Sequence, residues 1–149
     1  MKKFQLFFVA AALLFATSAF ANGKPEKVSQ KVKAAFDQNF TSAKNVTWEK
    51  ADDFYFAYFE LNTKDVAAAY NEKGELVGTS RVISTDQLPL TVSMAIAEKY
   101  QGYAVAKVAT EITYDGQTSY YVNVENSKQI LKLKCGADTT IGVDTKTKK

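Results

Sequence analysis

Carboxylates are the side chains of this 149-residue chain best supplied for acid–base chemistry. Asp52-Asp53, Glu72, Glu75, Asp115 and Asp138 fall mostly in stretches that read as turns. Paired acids could serve glycoside hydrolysis, and Asp52-Asp53 could attract calcium, but acids in turns more commonly shape hairpins. The chain contains no histidine, which removes the commonest general base and the commonest zinc ligand together. Cys135 is its sole cysteine, so neither an internal disulfide, a Cys–His nucleophile pair nor a Cys/His zinc cluster can form. Its alternation with Leu131 and Leu133 reads as a small buried hydrophobe. No glycine-rich phosphate loop, GxSxG elbow or EF-hand spacing occurs. The expectation is a protein that is not an enzyme, with no catalytic residue, no metal and no cofactor.

The unusual chemistry is aromatic. In Phe54-Tyr55-Phe56-Ala57-Tyr58-Phe59-Glu60-Leu61 successive side chains alternate between the two faces of a strand, and both faces are apolar. A sheet with one solvated face should alternate with polar residues instead. A second strand, Ser119 to Glu125, separates more cleanly into Tyr120, Val122 and Val124 against Tyr121, Asn123 and Glu125. Laying it 63 residues back over the first places Tyr55, Ala57 and Phe59 inward and Phe56, Tyr58 and Glu60 outward. The candidate binding residues are therefore Phe56, Tyr58, Glu60, Tyr121 and Asn123. Exposed Phe and Tyr suit a protein or peptide interface, because they give large contact area at low entropy cost. The same rings could instead pack across strands and only stabilise the sheet.

Those strands need helices to cover them. Val28, Val32, Ala35, Phe36 and Phe40 recur at helical spacing, as do Val92, Ala95, Ile96 and Tyr100 sixty residues later. The expected helices cover residues 28–40 and 90–100. Strands are expected at 46–49, 54–61, 66–70 and 75–83 after the first helix, and at 103–114, 118–124 and 129–135 after the second. A last short strand is expected at 139–143. Asn71-Glu72-Lys73-Gly74 and Asp115-Gly116 mark hairpin turns, since glycine accepts the positive φ they require. Trp48 alternates with Val46 and is expected in the core beneath the first helix. On this reading Trp48→Ala unfolds the protein, while Tyr58→Ala and Tyr121→Ala leave it folded. The fold class is α+β, a tandem repeat of two units at about 26–84 and 85–145, each a helix packed on an antiparallel four-stranded sheet. Trp48 matches Val108 at an offset of 60, and a three-residue insertion in the second unit's first hairpin explains the later offset of 63.

Residues 1–21 read as a removable export signal. Lys2-Lys3 precede an apolar run from Phe4 to Ala16, and Ala19-Phe20-Ala21 offers small residues at a cleavage site. The run is short for a membrane span and lacks a basic stop-transfer flank. No membrane span is expected after its removal, and residues 22–149 form the domain. Loss of Lys2 and Lys3 leaves 17 basic against 16 acidic residues, a net charge of +1 rather than +3. That near-neutral balance argues against nucleic acid as a partner. Lys146 to Lys149 is expected to be a solvated, frayed tail.

Asn45-Val46-Thr47-Trp48-Glu49-Lys50 after a helix, Ala69-Tyr70-Asn71-Glu72-Lys73-Gly74, and Glu98-Lys99-Tyr100-Gln101-Gly102-Tyr103 resemble the exported beta-lactamase-inhibitor-like, PepSY-like proteins of Bacteroidetes, over essentially all of residues 22–149. The resemblance implies paired helix-plus-four-strand units whose open sheet face binds another protein, often a hydrolase. It brings no catalytic motif, and it does not imply inhibition of a beta-lactamase. True inhibitors of that shape carry disulfides in each repeat, and Cys135 alone departs from them. The leading expectation is a periplasmic or secreted binding module that modulates a hydrolase. The alternative is a binder of a small ligand or envelope glycan on the same face, and a homodimer through that face is a further expectation. Export makes a direct prediction. Intact-mass analysis of the native host's envelope should find a chain beginning at Asn22, and a form retaining Met1 would overturn it.

Overall fold

The computed structural model describes residues 28–149, so the expected signal at 1–21 lies outside the described residues. Helix α1 (Gln30–Asn39) is followed by β1 (Lys44–Ala51), β2 (Phe54–Leu61), β3 (Lys64–Asn71) and β4 (Leu76–Ser84). A 3₁₀ turn at Thr85–Gln87 leads to α2 (Leu90–Lys99), then β5 (Ala104–Tyr114), β6 (Gln117–Glu125), β7 (Gln129–Gly136) and β8 (Ile141–Lys148). The class is α+β, with antiparallel pairing of β1–β2–β3 in the first half of the chain and of β5–β6–β7–β8 in the second. The chain divides into two compact units at Ser80/Arg81, inside β4 and a few residues before the expected boundary at 84.

Unit 1 is organised by α1. The Ser29 hydroxyl accepts from the Val32 amide at 3.2 Å, satisfying one of the amides that a helix start leaves unpaired. Helical spacing then buries Val32 and Phe36. They meet Tyr55, Ala57 and Phe59, the β2 face that alternation assigned inward, and Val66, Ala68 and Tyr70 of β3. Phe36 is the hub, with Phe59 at 5.0 Å, Trp48 at 5.2 Å, Phe40 at 5.4 Å and Tyr70 at 6.4 Å between ring centroids. The turn after β3 reaches back to this helix. Gly74 has φ +79°, and a Cβ there would lie 3.1 Å from the Lys31 carbonyl oxygen. Glycine is thus required both for the turn and for the close approach.

Unit 2 has an aliphatic core. Val92 and Ile96 of α2 pack with Tyr120, Val122 and Val124 of β6 and with Leu131, Leu133 and Cys135 of β7. The two-residue turn Asp115-Gly116 has φ of 49° and 72°, the positive pair that a tight hairpin needs.

Three local expectations are corrected. Val46 does not share a buried face with Trp48. It is exposed, because the β1–β2 register slips between Lys44 and Thr47, where Asn45 takes φ 54°. A bulged residue resets alternation, so the two side chains separate. Val108 is likewise exposed, because β5 has its own register shift between Val105 and Ala109 and the buried place goes to Ala109. The basic terminus is not frayed. β8 pairs with β7 as far as Lys148, and the Lys149 amide donates to the Lys128 carbonyl at 3.1 Å.

Trp48 is half-buried at the rim of the core and Phe36 lies at its centre. Phe36→Ala should therefore cost about 3–5 kcal/mol and Trp48→Ala distinctly less. Urea melts of the two variants check the order, and a larger loss for Trp48→Ala would restore the expectation read from the sequence.

Candidate functional site

In each unit the candidate residues lie on the strand face away from that unit's own helix. In unit 1, β2 places Phe56 opposite Glu49 and Ala69, Tyr58 opposite Thr47 and Ala67, and Glu60 opposite Lys44 and Asp65. Directly paired side chains share a face, so these residues form one row with their neighbours. In unit 2, β6 places Tyr121 between Thr110 and Lys134, with Asn123 opposite Lys132. The structure thus brings Phe56, Tyr58 and Glu60 together on β2, and Tyr121 and Asn123 together on β6.

Their exposure is not what alternation implied. Phe56, Tyr58 and Tyr121 are only 5%, 9% and 6% exposed, as buried as the helix-side core. The expectation of an open aromatic patch is corrected. Asn123 is exposed and Glu60 is half-buried, so the accessible part of the candidate set is polar. The aromatic side chains are engaged. The Tyr58 hydroxyl donates to Glu49 Oε2 at 3.2 Å. Burial, then the Glu49 carboxylate, holds that phenol well above its usual range. Tyr121 carries two ammonium groups over its ring, Lys132 Nζ at 5.1 Å and Lys134 Nζ at 5.9 Å from the centroid. Such contacts draw a cation to the negative face of the ring.

Lys132 and Lys134 were missed as site residues, although the signal was present. In Leu131-Lys132-Leu133-Lys134-Cys135 the apolar residues take the helix side, so both lysines must take the other. The accompanying acid, Asp144, could not be placed from sequence. It stands where the β7–β8 register shifts, with its Oδ2 at 3.9 Å from Lys132 Nζ.

Two further acids have partners within their own units. Glu72 pairs with Lys50 at 3.5 Å across unit 1. Asp138 accepts from the Thr140 hydroxyl at 2.6 Å and from its amide at 3.1 Å, and these bonds lower its carboxyl below the usual value. Among the described residues no group of three or more His, Cys, Asp or Glu could hold a metal ion.

No protein-family model matches the chain, and no curated protein sequence matches it. Solved structures do. A DUF2874 family protein from Bacteroides uniformis superposes with a TM-score of 0.66 at 20% identity, covering 80% of this chain and 88% of that one. A BLIP-like protein from Bacteroides fragilis gives 0.63 at 18% identity, with 89% of this chain and 92% of that one covered. A candidate periplasmic protein from Bacteroides eggerthii gives 0.67 at 17%, covering 81% and 88%. At these identities the likeness is one of fold, and it agrees with the beta-lactamase-inhibitor-like architecture expected from the sequence.

Burial pushes the Cys135 thiol up from 9.0 to about 11, against a small opposing pull from the Lys99 ammonium. Burial first, and Asp144 second, pushes Tyr121 from 10.0 up to about 12. Both groups are neutral when protonated and are raised by folding. Their contribution is therefore fully present below pH 9.0 and is lost as pH rises through the folded values. The urea midpoint should fall progressively above pH 9.0, and iodoacetamide should label Cys135 only in unfolded protein. Fast labelling of the native protein at neutral pH would contradict this burial.

Proposed function

We propose that the chain is an exported, non-enzymatic binding module, a protein-binding modulator or inhibitor of a secreted or periplasmic hydrolase. The observation that carries this reading is the strand face away from the helix in each unit, where buried rings hold charged side chains: Glu49 at the Tyr58 hydroxyl in unit 1, and Lys132 and Lys134 over Tyr121 in unit 2. The rings are a platform, and the contacts come from groups on the same face, with Glu60 beside them in unit 1 and Asn123 beside them in unit 2. Interfaces of this kind draw affinity from fixed side chains, because little rotamer entropy remains to be lost. Export is supported by the sequence of residues 1–21 and by the candidate periplasmic neighbour of similar fold. A protein partner is supported by the BLIP-like neighbour. No helix of the described residues is long and apolar enough to cross a membrane.

The proposed organisation is a signal at 1–21 and a domain at 22–149 built by duplication, with repeats at about 26–84 and 85–145. Two observations support it. The buried helix residues Val32 and Phe36 lie sixty positions before Val92 and Ile96. The pairs Thr47–Tyr58 and Thr110–Tyr121 are both offset by 63 residues. The turns Asp52-Asp53 and Asp115-Gly116 share that offset, so the three extra residues enter before Ala109 rather than in the hairpin. β8 extends the second repeat to Lys148.

A pull-down from envelope extract of the native host tests the face. Wild-type protein should retain a partner that Asn123→Arg and Glu60→Arg lose by tenfold or more, with unchanged circular dichroism. Equal recovery by wild type and both folded variants would remove this face from the reading.

A further inference from the structure

We propose that the outer face of β6 and β7 recognises an acidic, extended peptide segment of the partner protein. The inference rests on the binding reading above and supplies the chemistry of its unit 2 face. Lys132 and Lys134 are alternate residues of one strand, so their Cα atoms lie about 7 Å apart on one face. An extended peptide with acids at every second residue has that same repeat. Each lysine is steered by the Tyr121 ring, at 5.1 Å and 5.9 Å, so the two ammonium groups are ordered before a ligand arrives.

Their charge is poorly neutralised. Elsewhere in unit 2, Arg81 meets Glu111 at 2.7 Å and Lys149 meets Glu125 at 2.8 Å. Lys132 reaches Asp144 only at 3.9 Å, and Lys134 makes no ion pair among the described residues. A ring draws a cation without cancelling its charge, and the Lys132 side chain, 16% exposed and shared with Asp144, is reached by an acid that takes the place of that carboxylate. The flanking groups are neutral donors. Lys132 stands between Asn123 on β6 and Thr145 on β8. Lys134 stands opposite Gly142, where an added Cβ would meet nothing within 4 Å. The surface beside Lys134 is therefore uncovered at that point. Asp144 is the carboxylate that an incoming acid would displace, so the site carries its own weak competitor.

The probe is a fluorescein-labelled peptide alternating Glu and Ser, with a Lys/Ser peptide as control and inorganic phosphate as competitor, read by fluorescence anisotropy. Wild-type protein should bind the Glu/Ser peptide alone, less tightly as salt is raised. Lys132→Gln/Lys134→Gln should weaken it at least tenfold, Tyr121→Phe should retain it, and Asp144→Asn should tighten it severalfold. No binding by wild type, an unchanged affinity in the folded double lysine variant, or weaker binding by Asp144→Asn would overturn the proposal. Displacement by phosphate at concentrations matching the peptide's would overturn it as a simple anion site. Sedimentation showing self-association that the double lysine variant abolishes would assign the acids to a second copy of this chain and also overturn it. If the pull-down retains a partner through Asn123 while the Glu/Ser peptide fails, this inference falls and the binding reading stands. If both fail, the face itself is wrong.

Discussion

Neither helix is long enough to persist in water alone, and each exists because one face of the sheet needs covering. A ten-residue helix is marginal by itself, since its costly first turn is repaid by few further hydrogen bonds. Two side chains per helix supply the missing stability: Val32 and Phe36 in unit 1, Val92 and Ile96 in unit 2, none more than 3% exposed. The spacing i, i+4 aims both down onto the sheet, and the strands answer with every second residue. Where the knob is Phe36, the sheet answers with Trp48, Phe59 and Tyr70. Where it is Ile96, the answer is Val, Leu and Cys135. The core thus consumes the chain's thiol as packing material, and its raised pKa follows from that use.

In each unit one strand face is committed to the helix, and the proposed recognition falls to the other. In most antiparallel sheets that face is polar and solvated. Here it contains Phe56, Tyr58 and Tyr121, all buried, with the Tyr58 hydroxyl bonded to Glu49 and two lysine ammonium groups over the Tyr121 ring. A tyrosine joins apolar body and polar tip, which lets it anchor a charged neighbour while excluding water around it. Such a face offers fixed charge in a partly desolvated setting, the condition under which a modest number of ions can discriminate between partners. This is the physical ground for reading the protein as a binder. Of the carboxylates in turns, Asp138 bonds Thr140 and Glu72 pairs with Lys50.

The sheet edge was also settled by charge and pairing. β8 is rich in lysine and threonine, a composition that protects a strand from unwanted edge-to-edge association. The Lys149–Glu125 pair and the bond from the Lys149 amide close the end of this strand against the turn after β6. A terminus that reads as solvated tail by composition is therefore part of the folded unit.

By itself the sequence determined whatever depends on neighbours along the chain. Helical spacing located Val32, Phe36, Val92 and Ile96. Alternation found β2 at both ends, Phe54 to Leu61, and assigned Tyr55, Ala57 and Phe59 to the helix side and Phe56, Tyr58 and Tyr121 to the other. Turn residues set the hairpins at Gly74 and Asp115-Gly116. Tertiary structure decided what depends on residues far apart. It buried the outer rings, exposed Val46 through a register slip, and paired the basic end as a strand. It also set Lys132 and Lys134 over Tyr121 and placed Asp144 near them. The reason is that φ/ψ preference and periodicity act over one to four residues, and a single local pattern suffices to reveal them. Burial and register are settled between strands, where one bulged residue redirects the side chains that follow it.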